Sequence, residues 1–185
     1  MPDPRTPDDV AARLRALDKE ELVRMIMDDA KNWLAHDGLW FQAVEAARGM
    51  EEAIAADAAA WEKFTVIEAK RIMERLGLQP GGGIPALVEC LDHRLYARLN
   101  TQQVTEQSDT RAVFVMRDCR VQSARKRKGL PDFPCKSVGV VEYAGFARTI
   151  DPRIRTRCLA CPPDPHAADA WCSWEFSVDA GAPAR

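Results

Sequence analysis

Apolar residues recur every three or four positions through the first hundred residues and at every second position in parts of the remainder. The first pattern predicts helices and the second predicts strands, because side chains return to one face after about 3.6 residues in a helix and about 2 in a strand. In "DKEELVRMIMDDAKNWLAH", Leu22, Met25, Ile26, Ala30, Trp33 and Leu34 share a helical face. Asp18 precedes them as an N-cap, with Glu21 three residues on in a capping-box pattern. "DGLWFQAVEAARG" reads as a further helical stretch with Gly38 near its start and Gly49 as its stop. "MEEAIAADAAAWEKFTVIEAKRIMERLG" is alanine-rich, full of good helix formers and closed by Gly77. "QPGGGIP" is a loop by composition, and "ALVECLDHRLYARLN" is another helix.

Beyond residue 110 the texture changes. "RAVFVMRDC" has the β-branched and aromatic content of a strand. "KSVGVVEYAGFARTI" fits either type, and its small residues suit a closely packed helix. "RIRTRCLA" alternates, with Ile154, Thr156 and Cys158 opposite Arg153, Arg155 and Arg157. "WCSWEFSV" alternates as well, with Cys172, Trp174, Phe176 and Val178 on one face. The proline-rich segment between them must be a loop, so the pair predicts a hairpin that brings Cys158 near Cys172. The expected fold is α+β: a helical N-terminal half packed on a small antiparallel sheet with a C-terminal hairpin. Its expected divisions are a tail at 1–7, a helical region at 8–100, a cysteine-rich α/β ligand- and metal-binding region at 101–178, and a tail at 179–185.

A chain of 185 residues, 46% hydrophobic and with net charge −2, suits one compact domain or two small ones. No run of 18 apolar residues predicts a membrane span, and the polar N-terminus has no signal-peptide core. The expected setting is the reducing cytoplasm, where six cysteines are unsuited to structural disulfides. Five of the six fall within 54 residues, at positions 119, 135, 158, 161 and 172, in the spacing C-x15-C-x22-C-x2-C-x10-C. Cys158 and Cys161 have the spacing that lets two thiolates grip one ion, and no second such pair exists. Cys161 precedes two prolines, in a loop where strand packing does not account for it. Cys119, Cys135, Cys158 and Cys161, with Cys172 as a substitute, are therefore candidate ligands for zinc or an iron–sulfur cluster, zinc first. The plain alternative is a set of buried thiols acting as small hydrophobes, which is the expectation for Cys90.

Two helical stripes carry further candidates. Trp33, His36, Asp37 and Trp40 fall at i, i+3, i+4 and i+7, and Asp57, Trp61, Phe64 and Glu68 form a similar stripe on the next helix. Facing each other, they would wall a small-molecule pocket with aromatic rings and a few polar groups. His36, Asp37 and Glu68 are then the acid–base candidates, and Trp33, Trp40, Asp57 and Trp61 the ligand-binding ones. Plain core packing is the competing account of both stripes. Residues 117 to 157 hold eleven basic and four acidic residues, a net +7 against −9 elsewhere. "SARKRKG", with Arg125, is a solvated face or an anion site; it lacks the interleaved aromatics of a nucleic-acid binder.

Two resemblances extend these readings. Residues 110 to 178, from Cys135 through "GVVEYAGF", "RIRTRCLA" and "WCSWEFSV", resemble the 4-vinyl reductase type of small-molecule-binding domain. Cys135, Cys158 and Cys172 match its cysteine positions. The whole chain, through "NWLAHDGLWF", "EAKRIM", "CRVQSARKRKGLPDFPCKSVG" and "TIDPRIRTRCLACPPD", resembles an uncharacterised bacterial family labelled L-2-amino-thiazoline-4-carboxylic acid hydrolase-like. These resemblances imply a helical N-terminal part on an α/β ligand-binding unit with a cysteine metal site. The combined expectation is a metal-binding protein with a pocket for a small, anionic organic ligand. As an enzyme it would hydrolyse a C–N or C–S bond of a small heterocycle through a metal-bound water. The alternative is a non-enzymatic ligand sensor or accessory module with a structural zinc or iron–sulfur site. A homodimer is one candidate assembly, which the sequence leaves open, and neither membrane nor nucleic acid is an expected partner.

Overall fold

The computed structural model describes residues 6–179. Of the expected tails, residues 1–5 and 180–185 lie outside the described residues, while Thr6 and Pro7 cap and open the first helix. That helix, α1, spans Pro7–Arg15. It is followed by α2 (Lys19–Arg48), α3 (Met50–Leu76) and α4 (Gly83–Asp92), then a 3-10 turn at Tyr96–Arg98. The second half runs β1 (Thr101–Gln107), β2 (Arg111–Asp118), α5 (Arg120–Arg127), α6 (Lys136–Ile150), β3 (Arg155–Ala160) and β4 (Cys172–Ser177).

Local chemistry sets most boundaries. The Asp18 side chain accepts the Glu21 amide at 2.8 Å and opens α2. The Glu21 carboxylate turns instead to Arg24, so only half of the capping box forms. Gly38 does not interrupt α2, which runs unbroken for 30 residues. One glycine costs a helix about 1 kcal/mol relative to alanine, which the packed seam with α3 overrides. Gly49 (φ +89°) turns the chain straight into α3, and Gly77 (φ +69°) ends α3 in the left-handed conformation that glycine adopts without strain.

The four strands form one antiparallel sheet in the order β1-β2-β4-β3. The expected hairpin is present, with Cys158 opposite Trp174 and Thr156 opposite Phe176. β1 is an edge strand of sequence TQQVTEQ. Only Gln102 and Val104 are half-buried in it, so its pattern carries almost no apolar alternation to read. One face of the sheet, through Ala112, Phe114, Met116, Trp174 and Phe176, forms the main core with α4 and α6. The opposite face carries an ion-paired row in which Glu175 accepts from both Arg111 and Arg157.

α6 is the central helix, packed on α3 at one side and on the sheet at the other. Two glycines permit this approach. A β-carbon at Gly139 would lie 2.7 Å from the Trp174 ring, and one at Gly145 would lie 2.6 Å from Thr65 Cγ2. Both neighbours are fully enclosed, and Thr65 is also held by donating to the Glu142 carbonyl at 2.9 Å, so neither can yield.

Candidate functional site

A cavity of about 520 Å³, open to solvent on one side, lies between the α2–α3 seam and α5. A recess of about 80 Å³ adjoins it and reaches inward to the N-terminus of α6 and the start of β4. Asp57, Trp61, Tyr96, Val121 and Phe133 border both chambers. Trp61 and Tyr96 are stacked at 5.6 Å, and Trp33 and Phe64 back them from a second layer. Phe133 is fixed by a side-chain mimic of strand pairing. Its amide donates to Gln122 Oε1 at 2.9 Å, and Gln122 Nε2 donates to its carbonyl at 2.8 Å. Gln122 is almost fully enclosed, so this pair anchors the loop after α5 over the recess.

Beside the cavity lies Arg94, 2% exposed. Its Nε donates to Glu68 Oε2 at 2.9 Å, and its Nη2 lies 2.7 Å from Glu142 Oε1. The second contact is an ion pair without hydrogen-bond alignment, which leaves Glu142 Oε1 with acceptor capacity in the recess it lines. Rings of Trp61, Tyr96, Tyr143 and Phe146 surround the guanidinium at 4.7–5.9 Å from their centroids. Cation–π attraction is strongest for such desolvated cations. Glu68 also accepts the Leu95 amide at 2.9 Å, so the turn after α4 is tied to α3.

Burial moves the carboxyls upward. Asp57 is pushed up to about 7, first by desolvation and then by Asp37 and Glu142 across the cavity. Desolvation also raises Asp37 and Glu142, and Arg94 opposes the shift of Glu142. Neither Asp37 nor Asp57 has an ion-pair partner among the described residues; the Trp61 side chain one turn away opposes the rise of Asp57, and neighbouring His36 that of Asp37.

Four thiols line the recess: Cys119, Cys135, Cys161 and Cys172. The Cys135 and Cys161 sulfurs are 3.6 Å apart, too far for a disulfide bond. Cys161 hydrogen-bonds to both Cys135 and Cys172, which raises it and lowers Cys135. Gln122 Nε2 and Trp174 Nε1 donate to Cys135 and Cys172 at 3.6 and 3.4 Å. Burial lifts Cys119 to about 12. Among the described residues no three or more His, Cys, Asp or Glu are arranged as a ready metal site. Cys158 lies outside the recess, packed against the sheet core opposite Trp174. The C-x2-C pair is thus split, because the strand holds Cys158 and the loop turns Cys161 inward.

The other candidates are spread unevenly. Asp37, Asp57, Trp61 and Arg125 line the cavity. Arg125 is already engaged, donating in bidentate fashion to Glu45 of α2 at 2.9 and 3.1 Å and to the Pro131 carbonyl. His36 is exposed and Trp40 is 67% exposed, so the stripe at i+3 and i+7 turns to solvent while i and i+4 turn in. The seam with α3 is narrower than the sequence stripe. Glu68 is locked by Arg94 and borders neither chamber. Arg94, Tyr96, Gln122, Phe133 and Glu142 escaped the sequence reading. The one available signal was Glu142, a lone charge within the small and apolar run "VGVVEYAGF".

Two outcomes are expected from this geometry. Arg94→Met strands two buried carboxylates and should lose about 3–5 kcal/mol in urea denaturation near pH 8. Without the cation, the folded-state pKa of Glu142 rises further above its unfolded value, so part of the loss should return at pH 5 as Glu142 takes up a proton. Asp57→Asn should do the opposite. Because folding raises the Asp57 pKa, ionisation costs stability between about pH 4 and 7 and fully above 7. The variant should therefore melt above the parent protein at pH 8, with the gain gone by pH 4; an unchanged difference across that range would refute the assignment.

Comparison with known proteins follows from this geometry. The crystal structure of the phenol-responsive sensory domain of the transcription activator PoxR with phenol is similar over 76% of this chain and 72% of that chain. The TM-score is 0.51 at 16% identity, a likeness of fold alone. A search of curated proteins finds no match. A family model matches residues 15–178, and its description names no activity, so it lends none to the hydrolase expected from the amino-thiazoline resemblance. The chain belongs to that family, the family of unknown function DUF6125.

Proposed function

We propose that this protein is a ligand-sensing or ligand-binding module for a small aromatic molecule. The observation that carries the reading is the cavity of about 520 Å³, walled by Trp61, Tyr96, Phe41 and Phe133, with two carboxyl groups unmatched by ion pairs. Concave, mostly apolar sites with a few convergent polar groups are the usual form of small-molecule sites. The fold likeness to a domain described as phenol-responsive supports the same reading. Hydrolysis is not part of it: His36 faces solvent and Glu68 is held by Arg94, which leaves Asp37 alone of the three acid–base candidates at the cavity. No described helix is long and apolar enough to cross a membrane, and a cytoplasmic setting suits the free thiols.

Val121 borders both chambers, so Val121→Trp should fill the space between them. Phenol as a probe should raise the melting temperature and quench tryptophan fluorescence in the parent protein, and Val121→Trp should abolish both effects while keeping the far-ultraviolet spectrum. Phenol effects that persist unchanged in Val121→Trp would overturn the reading.

The thiols favour a second feature within the same module. Four thiolates at about 2.3 Å from a zinc ion stand about 3.7 Å apart, and Cys135 and Cys161 are separated by 3.6 Å. Cys119, Cys135, Cys161 and Cys172 are the residues that would hold a thiophilic ion, zinc or an iron–sulfur cluster. A four-thiolate ion would pin α5, α6 and β4 at the floor of the recess. Elemental analysis of anaerobically purified protein should find the metal, and Cys135→Ser with Cys161→Ser should lose it, whereas Cys158→Ser should keep it. Equal metal content in all three proteins would remove this feature.

A further inference from the structure

We infer that the cavity selects an aromatic ligand bearing a cationic nitrogen, with the ammonium seated between Asp37 and Asp57 and the ring against Trp61, Tyr96 and Phe133. This deepens the proposed function and rests on the cavity being an aromatic-ligand site.

Asp37, Asp57 and Glu142 border the two chambers and Glu68 lies behind them; of the two buried guanidiniums beside them, Arg125 is taken by Glu45, which leaves Arg94. Arg94 is committed to Glu68 and Glu142. Asp37 and Asp57 oppose each other across the α2–α3 seam without an ion-pair partner among the described residues. Three cations of the rim are directed elsewhere, Lys31 to Asp28, Arg125 to Glu45 and Lys128 to Gln42, and the fourth, Arg120, forms no ion pair with Asp37 or Asp57. An anion, expected from the basic segment, meets Arg120 as its one uncommitted counter-charge at the rim among the described residues, while a cation meets two unmatched acids.

The walls point the same way. Trp61 and Tyr96 stack on each other, lie 5.8 and 5.9 Å from the Arg94 guanidinium and also line the cavity. Their ring faces carry negative potential that favours a second cation positioned over them. Deeper in, Glu142 Oε1 is nine-tenths buried and lacks an aligned donor, which gives the recess an acceptor for a further N–H. A neutral hydroxyl would satisfy one such acceptor and leave the Asp37–Asp57 repulsion in place.

Proton release is the signature. The groups facing Asp57 are Asp37 from α2, Glu142 from α6, Trp61 on its own helix and Tyr96 from the 3-10 turn, with Arg120 and Arg125 of α5 at the same chamber. Asp57 holds a proton below about pH 7, and a bound ammonium would expel it.

The test uses 2-phenylethylamine, its neutral analogue 2-phenylethanol and its acidic analogue 3-phenylpropionate in titration calorimetry at pH 8. The amine should bind at least about ten-fold more tightly than the alcohol, and the acid more weakly than both. Asp57→Asn should erase the preference, lowering amine affinity by about ten-fold while leaving the alcohol within about two-fold. At pH 6.5, amine binding in buffers of different ionisation enthalpy should show proton release, absent in Asp57→Asn. Equal binding of amine and alcohol, or a preference that survives Asp57→Asn, overturns this inference and leaves the aromatic site standing. No binding of the three probes or of phenol overturns both.

Discussion

One buried guanidinium organises this molecule. Arg94 leaves water between α3 and α6 and is held there by Glu68, Glu142 and a surround of four aromatic rings. Removing a charge from water costs several kcal/mol, recovered only when the opposing charges and hydrogen bonds are well placed. The arrangement therefore demands that α3, α6 and the turn after α4 meet in one register. The Leu95 amide on Glu68 and the Thr65 hydroxyl on the Glu142 carbonyl supply that register. Gly145 permits the approach by leaving Thr65 the room that a β-carbon would take.

The cavity follows from the same meeting. Trp61 and Tyr96 stack on each other beside Arg94 and line the open space, so the wall is held in place before any ligand arrives. Asp37 and Asp57 are set into that wall at a cost in stability, since burial favours their neutral forms. Acidic groups held so are common where a binding partner supplies the missing charge. The four thiols that line the recess come from the starts of α5 and α6, the loop after β3 and the start of β4, which places the end of the cavity beside the sheet core.

Helical spacing, the Asp18 cap, the glycine stops and the period-two alternation of the last two strands were legible because each depends on neighbours within a few residues. The stripe Asp57, Trp61, Phe64 and Glu68 was legible for the same reason, as was the inward face of Cys172, Trp174 and Phe176. β1 was not, because an edge strand with half its side chains in water needs no apolar alternation. α5 was not, because "RVQSARKR" has two apolar side chains, Val121 and Ala124, and derives its helix from the ties of Gln122 to Phe133 and Arg125 to Glu45.

By itself the sequence determined an α+β chain, a C-terminal hairpin, and helical stripes that hold Asp37, Asp57 and Trp61. Tertiary structure decided which members of those sets meet. It turned Asp37 inward and His36 outward, parted Cys158 from Cys161, and brought Cys119 and Cys172 to the same recess. It also supplied Arg94, whose charge is ordinary in the sequence and exceptional only in its surroundings. Periodicity specifies the side of an element on which a residue lies; the partner it meets there depends on packing between segments 26 to 80 residues apart, which local pattern does not encode.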